Sequence, residues 1–226
     1  MRTVVFDLDG TLADTSGDLI AAANACFQDM GEGDVLHPER DAETAFHGGR
    51  AMLTLGLSRV RAGATVTERE ALVERYYPRL LEAYHAEIDR HTTLYPGAMA
   101  AVEALKSADC AVSICTNKPE GLARKLLTRL NILHEFAALI GADTLPTRKP
   151  DPAPYLAAVE QVGGSLARSL LVGDTNTDRE TARAAGVPCV LVTFGPAGER
   201  VRDLAPEAVI GHFDELPARV VELLGV

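Results

Sequence analysis

The hydrophobic pattern of the chain changes period twice. Thr3 to Phe6 is a short apolar, β-branched run that stops at Asp7, which predicts a buried strand. From about Thr15 to Arg90 the spacing is helical instead. Leu19, Ala23, Cys26, Phe27 and Met30 recur at helical intervals behind Thr15-Ser16-Gly17-Asp18, whose spacing predicts a capping box, and Gly31 ends the helix. Pro38 to Phe46 predicts a short helix, His47-Gly48-Gly49-Arg50 breaks it, and another apolar helix runs to about Val60. Thr67-x-x-Glu70 predicts a second capping box. It heads a long amphipathic helix carrying Leu72, Val73, Tyr76, Tyr77, Leu80, Leu81, Tyr84 and Ile88 on one side, with Pro78 as a candidate kink.

From Tyr95-Pro96-Gly97 onward, strand-like and helix-like runs alternate. Strands are predicted at Cys110–Cys115, Ala137–Gly141, Ser169–Gly173, Pro188–Thr193 and, weakly, Ala208–Ile210. Helices carry Met99, Val102 and Leu105, then Leu122, Leu126, Leu127 and Leu130, then Tyr155, Ala158, Val159 and Val162. A further helix opens at Thr175-x-x-Asp178, a capping-box spacing, and ends at Gly186, and the last spans Asp214 to Leu224. Such alternation implies right-handed crossovers and a mainly parallel sheet covered on both faces. The helical block behind the first strand is too long for one crossover. The expected architecture is therefore α/β: a Rossmann-like three-layer core from residues 1–14 and 91–226, with a helical domain, residues 15–90, inserted after the first strand.

Composition narrows the class of partner. The 226 residues are 47% hydrophobic and 24% charged, as in ordinary globular proteins. A net charge of −10 argues against nucleic acid as the ligand, which asks for a basic face. It leaves anionic small molecules open, because a local lysine and a metal can override the global field. No apolar run is long enough to cross a bilayer, and no signal peptide precedes the first strand. The four cysteines, Cys26, Cys110, Cys115 and Cys189, form no C-x-x-C pair; they read as reduced, buried residues of a cytoplasmic protein.

The chemistry-bearing residues fall where predicted strands end. Asp7 and Asp9 stand one residue apart behind the first strand, followed by Gly10 and Thr11. The sequence there is open to two readings. It could be an Asp-Gly turn, or two crowded acids that need a cation between them, with oxygen-only ligands favouring Mg²⁺. Thr116-Asn117 closes the next strand, Lys149-Pro150-Asp151-Pro152 lies in a later loop, and Gly173-Asp174 closes another strand with Asp178 one turn behind. A metal, a lysine and donors for equatorial oxygens are what a phosphoryl group on a nucleophilic carboxylate needs.

These segments resemble the four motifs of the haloacid dehalogenase-like hydrolase superfamily. Asp7-Leu8-Asp9-Gly10-Thr11 looks like the first, Thr116-Asn117-Lys118 the second, Lys149-Pro150-Asp151-Pro152 the third, and Gly173 to Asp178 the fourth, in order and along the whole chain. The helical insertion resembles the family's α-helical cap. The resemblance implies that Asp7 attacks phosphorus and that Asp9 protonates the leaving alcohol and then activates water. It implies that Asp7, the carbonyl of Asp9, and Asp174 hold Mg²⁺. Thr116 and the amide of Asn117 would hold phosphate oxygens, and Lys149 would balance the charge. Asp178 would orient Lys149 or a metal-bound water; its spacing is equally that of a helix cap. The Gly48-Gly49-Arg50 run matches a substrate loop of the cap, so Gly49 and Arg50 are candidate substrate contacts.

The function expected from this resemblance is a Mg²⁺-dependent phosphatase of a small phosphorylated metabolite, most similar to the phosphoglycolate phosphatases. Three alternatives share parts of the pattern. A sugar phosphomutase keeps all four motifs. A 2-haloacid dehalogenase needs neither Asp9 nor a metal. A phosphoreceiver module uses Asp, Mg²⁺, Thr and Lys without turnover, but usually with adjacent acids after its first strand.

Overall fold

The β-branched run Arg2–Phe6 forms β1, with every residue after Arg2 buried. Such a run fits a strand covered on both faces, and β1 lies between two parallel partners, β4 (Cys110–Cys115) and β6 (Ser169–Gly173). The computed structural model describes residues 1–225. It divides into two units, Met1–Asp14 with the chain from Leu94 onward, and Thr15–Thr93.

In the first unit, β5 (Ala138–Ile140), β7 (Cys189–Val192) and β8 (Ala208–Ile210) complete a six-stranded sheet of order β5-β4-β1-β6-β7-β8. All five pairings are parallel. The chain winds outward from β1 through β4 to β5, then returns to β6 and winds the other way. The order reverses beside β1, which is where open α/β sheets bind ligands, at the C-terminal ends of the strands. The helices are α5 (Ala98–Ser107), α6 (Glu120–Arg129), α7 (Ala153–Gln161), α8 (Asn176–Ala185) and α9 (Leu216–Leu224). The pair α7 and α8 packs on β1, β4, β6 and β7, over a core of Val5, Cys115, Tyr155, Leu171, Ala182 and Leu191. The alternate residues Val4, Phe6 and Leu170 are equally inaccessible; by strand alternation they serve the other face, and α5 and α9 pack on β4 and β6. This is an α/β three-layer fold.

The second unit is helical: α1 (Ser16–Asp29), α2 (Pro38–Ala45), α3 (Gly49–Val60) and α4 (Val66–Ala86). Fully buried Phe27, Met52, Leu53, Leu57 and Leu80 form its interior. The chain leaves the first unit at β2 (Ala13–Asp14) and returns at β3 (Thr93–Leu94), and these two short strands pair. The return lies a little beyond Arg90 because Asp18 keeps the following residues with the helices. Its carboxylate accepts from His91 N, Thr92 N and Thr92 Oγ1 at 2.8, 2.9 and 2.7 Å. That duty takes the Asp18 carboxylate to the return segment and away from the expected box, and the Thr15 side chain makes no capping bond to α1. The other expected box is displaced by two residues, with Thr65 and Glu68 closing it at the head of α4. In Thr65-Val66-Thr67-Glu68-Arg69-Glu70 both spacings occur, and the earlier one gives Val66 the first helical position. Pro78 lies inside α4, which continues past it to Ala86. All four cysteines are buried and free of disulfides. No helix among the described residues is long and apolar enough to cross a membrane.

Candidate active site

The first unit gathers its acids at the C-terminal ends of β1 and β6. Asp7 N donates to Val172 O at 2.9 Å, which carries the sheet pairing one residue past β1. The chain then turns sharply. Gly10 has φ of 83°, a value glycine tolerates without strain. Leu12 N and Ala13 N both return to Leu8 O, at 3.0 and 3.1 Å. The turn aims Thr11 across to the fourth motif, where its hydroxyl donates to Asp174 Oδ1 at 2.8 Å.

Behind β6, Gly173 allows α8 to start against the strand end. A Cβ on residue 173 would stand 2.4 Å from Asp178 Cβ. Asp178 is fully buried and uses both carboxylate oxygens. Oδ2 accepts from Asp174 N, Thr175 N and Thr175 Oγ1 at 3.2, 3.1 and 2.8 Å, and Oδ1 accepts from Lys149 Nζ at 2.6 Å. Asp178 thus both caps α8 and bonds Lys149, one oxygen for each.

Lys149 is buried and its ammonium also lies 3.1 Å from Asp7 Oδ1. The same oxygen accepts from Leu8 N at 2.7 Å. One oxygen of Asp7 is therefore fixed by two donors, and the other takes no hydrogen bond among the described residues. Asn117 supports the lysine from behind, Nδ2 donating to Lys149 O at 2.9 Å. Thr116 is buried at the end of β4, and its hydroxyl accepts from Lys118 N at 3.1 Å, leaving its own proton to donate.

Three buried carboxylates and one buried ammonium carry an excess of negative charge. Burial pushes the Asp7 carboxyl up to about 7, reinforced by Asp178 and Asp9 and opposed by Lys149. Burial, with Asp178 and Asp7 beside it, also holds Asp174 well above the usual carboxylate range. Burial alone would lower Lys149, but Asp178 and Asp7 outweigh it and keep the ammonium charged. A divalent cation would answer that excess. Oxygens of Asp7, Asp174 and Asp178 lie within 4.8 Å of one another. Asp174 Oδ2 is buried with no hydrogen-bond partner. An orphaned carboxylate oxygen is costly unless something positive meets it. With Asp178 saturated by Lys149 and by amides, Asp7 and Asp174 are the side chains that fit a hard, oxygen-seeking cation.

Residues 4–192 match the haloacid dehalogenase-like hydrolase family. The chain belongs to that family. A phosphoglycolate phosphatase of Mesorhizobium japonicum is 36% identical over 223 residues, covering 98% of this chain and 95% of the relative. One of Caulobacter vibrioides is 37% identical over 223 residues, covering 98% and 92%. Among solved structures, a predicted phosphoglycolate phosphatase from Haemophilus somnus superposes with a TM-score of 0.80 over 97% of both chains at 23% identity. A haloacid dehalogenase-superfamily hydrolase of subfamily IA from Geobacter sulfurreducens gives 0.70 over 97% of this chain and 99% of the other at 22% identity. At those identities the structures speak for the fold.

In this haloacid dehalogenase-like hydrolase the four motifs meet at one sheet edge, bringing together Asp7, Lys149, Asp174 and Asp178 by direct contact or hydrogen bond. Two residues at the edge had been given no part by sequence. Thr11 was visible only as a hydroxyl behind Gly10, yet it orients Asp174. Lys118 closes the second motif, and its Nζ donates to Asp9 Oδ1 at 2.5 Å. Gly49 and Arg50 belong to the second unit, in the first turn of α3. There Gly49 answers to packing: a Cβ would stand 2.6 Å from Leu80 Cδ2 of α4. Arg50 donates from Nε and Nη2 to Glu74 at 2.8 and 2.9 Å, and its guanidinium lies 3.6 Å above the Tyr77 ring centre.

Proposed function

We propose that this phosphatase hydrolyses 2-phosphoglycolate to glycolate and inorganic phosphate, in two steps through Asp7. The observation that carries the reading is the state of Asp7 itself: a buried carboxylate with one oxygen fixed by Lys149 and Leu8 N, beside the orphaned Asp174 Oδ2. Its other oxygen is the nucleophile. It forms a bond to phosphorus while the bond from phosphorus to the glycolate oxygen breaks, and Asp9 gives that oxygen a proton. In the second step Asp9 takes a proton from water as the water oxygen attacks phosphorus, and the bond to Asp7 breaks. Thr116 and the Asn117 amide hold phosphate oxygens. Lys149 balances the charge that collects on Asp7 and the phosphoryl group, and Asp178 keeps the ammonium in place.

Asp7, Asp174 and the Asp9 carbonyl would hold Mg²⁺, which when bound supplies positive charge to the phosphoryl oxygens and to the nucleophile. Gly49 and Arg50 take no step in this scheme. The substrate comes from the relatives, which carry the name over nearly the whole chain. The test is phosphate release with Mg²⁺ from a panel of phosphorylated metabolites including sugar phosphates, ranked by kcat/KM. 2-Phosphoglycolate leads the panel, and Asp7→Asn, nearly isosteric but a poor nucleophile, releases nothing. Activity that survives Asp7→Asn, or persists in excess chelator, would overturn the scheme.

A further inference from the structure

We infer that Lys118 binds a carboxylate on the leaving half of the substrate, and so selects phosphate esters of 2-hydroxy acids. The inference rests on the proposed phosphatase reaction, in which Asp9 handles the proton of the leaving oxygen.

Lys118 is held firmly. Its N donates to the Thr116 hydroxyl at 3.1 Å, and its carbonyl accepts from Ala142 N at 3.0 Å. Ala142 follows Gly141, where the exits of β4 and β5 press together so closely that a Cβ would stand 2.4 Å from Glu120 N. The lysine backbone is thus fixed between two strand ends. Its side chain is only 8% exposed and still carries its charge to the catalytic edge, ending 2.5 Å from Asp9 Oδ1. Burying most of a lysine stem is inexpensive, because the methylenes pack; the ammonium is the part that needs partners.

The position of that ammonium follows from the chemistry of its partner. A group that protonates the leaving oxygen stands within about 2.6–3.2 Å of it in the reacting complex. Where Asp9 Oδ1 carries that proton, the ammonium is one hydrogen bond beyond, hence within about 6 Å of the leaving oxygen. In a phosphorylated 2-hydroxy acid the carboxylate is attached to the carbon that bears this oxygen. When that carbon is turned toward Lys118, its carboxylate oxygens come within hydrogen-bonding reach of the ammonium. An ammonium has three donors, so it can bridge Asp9 and a carboxylate together.

Charge points the same way. The substrate carboxylate would enter an edge already lined by Asp7 and Asp9, on a chain of net charge −10. Lys149 is already shared between Asp178 and Asp7, at 2.6 and 3.1 Å. Lys118 brings a second cation, paired with Asp9, the residue that handles the leaving oxygen.

The experiment compares 2-phosphoglycolate with 2-hydroxyethyl phosphate, which has a neutral hydroxymethyl in place of the carboxylate and a similar leaving oxygen. kcat/KM is measured for both on the native enzyme, on Lys118→Met and on Lys118→Arg. Activity on both substrates falls in Lys118→Met, since Asp9 loses its neighbour; the informative quantity is their ratio. A charge-assisted contact predicts that the preference for 2-phosphoglycolate falls about 10- to 100-fold in Lys118→Met, mostly through KM, and is largely retained in Lys118→Arg. An unchanged ratio with equal losses would make Lys118 a positioning residue for Asp9 and overturn the inference. A native enzyme with no preference between the two would overturn both the inference and the 2-phosphoglycolate assignment. A preference that survives Lys118→Met would leave that assignment standing and place the carboxylate elsewhere.

Discussion

The contact between Lys149 and Asp178 permits a sharp test, because the two parts played by Asp178 differ in size. In Asp178→Asn one side-chain oxygen remains and one becomes an amide. If the oxygen stays with Asp174 N, Thr175 N and the Thr175 hydroxyl, the amide hydrogens face the ammonium of Lys149. If the side chain flips, they face the two backbone donors instead. Neither orientation satisfies both sides. A lost helix cap alone costs about 1 kcal/mol. A broken buried ion pair costs about 3–5 kcal/mol, and Lys149 keeps Asp7 at 3.1 Å, so part of that is retained. The expected loss for Asp178→Asn is about 2–4 kcal/mol, from these two contributions together. Urea unfolding followed by circular dichroism, in excess chelator so that no cation binding enters, should be run on the native protein, Asp178→Asn, Lys149→Met and the double variant. The two residues should be coupled by about 2 kcal/mol or more, since each is the other's shortest charged contact. A coupling below about 0.5 kcal/mol, the usual error of additivity, would mean that Asp178 only starts a helix and that the buried pair contributes nothing.

Two further outcomes follow from single contacts. Thr11→Val removes the donor to Asp174 Oδ1 and should raise the Mg²⁺ concentration needed for half-maximal activity about 10-fold or more. Thr11→Ser should restore it, and a Mg²⁺ titration with no shift would detach Thr11 from the metal site. In the helical unit, buried Asp41 accepts from Arg59 at 2.7 and 2.6 Å and from His37 N at 2.8 Å, and these bonds, Arg59's foremost, lower its carboxyl to about 2. A folded value below the unfolded one means stability present above pH 4 and lost as pH falls through 4 toward 2, up to about 2 kcal/mol. Asp41→Asn should flatten that part of the pH dependence of unfolding; an unaltered acid limb would refute the assignment.

The strand ends were readable in sequence because each chemical residue follows directly on an apolar run: Asp7 after Phe6, Thr116 after Cys115, Asp174 after Gly173. The alternation of strands and helices likewise carried the sheet. What escaped is what depends on partners far along the chain. Lys118 and Asp9 are 109 residues apart, and nothing local says that a lysine after a strand will turn toward an acid behind another. Capping boxes misled for the same reason. Asp18 has the right spacing from Thr15 but a better use, since three donors of the returning chain converge on it. Gly49 has a packing reason that sequence did not show: a Cβ there would stand 2.6 Å from Leu80 Cδ2 of the neighbouring helix.

The short pairing of Ala13–Asp14 with Thr93–Leu94 has a consequence for how such a chain can diversify. Because exit and return are neighbouring strands, the inserted segment has to satisfy only one end condition: its termini must meet about one strand spacing, near 4.8 Å, apart. The entropy of closing a loop grows only with the logarithm of its length, so a longer or shorter helical insert would strain the sheet little. All the acids and lysines at the catalytic edge lie outside that insert. The helices can therefore be replaced, lengthened or reshaped by selection as a cassette while the chemistry of the other unit is inherited intact.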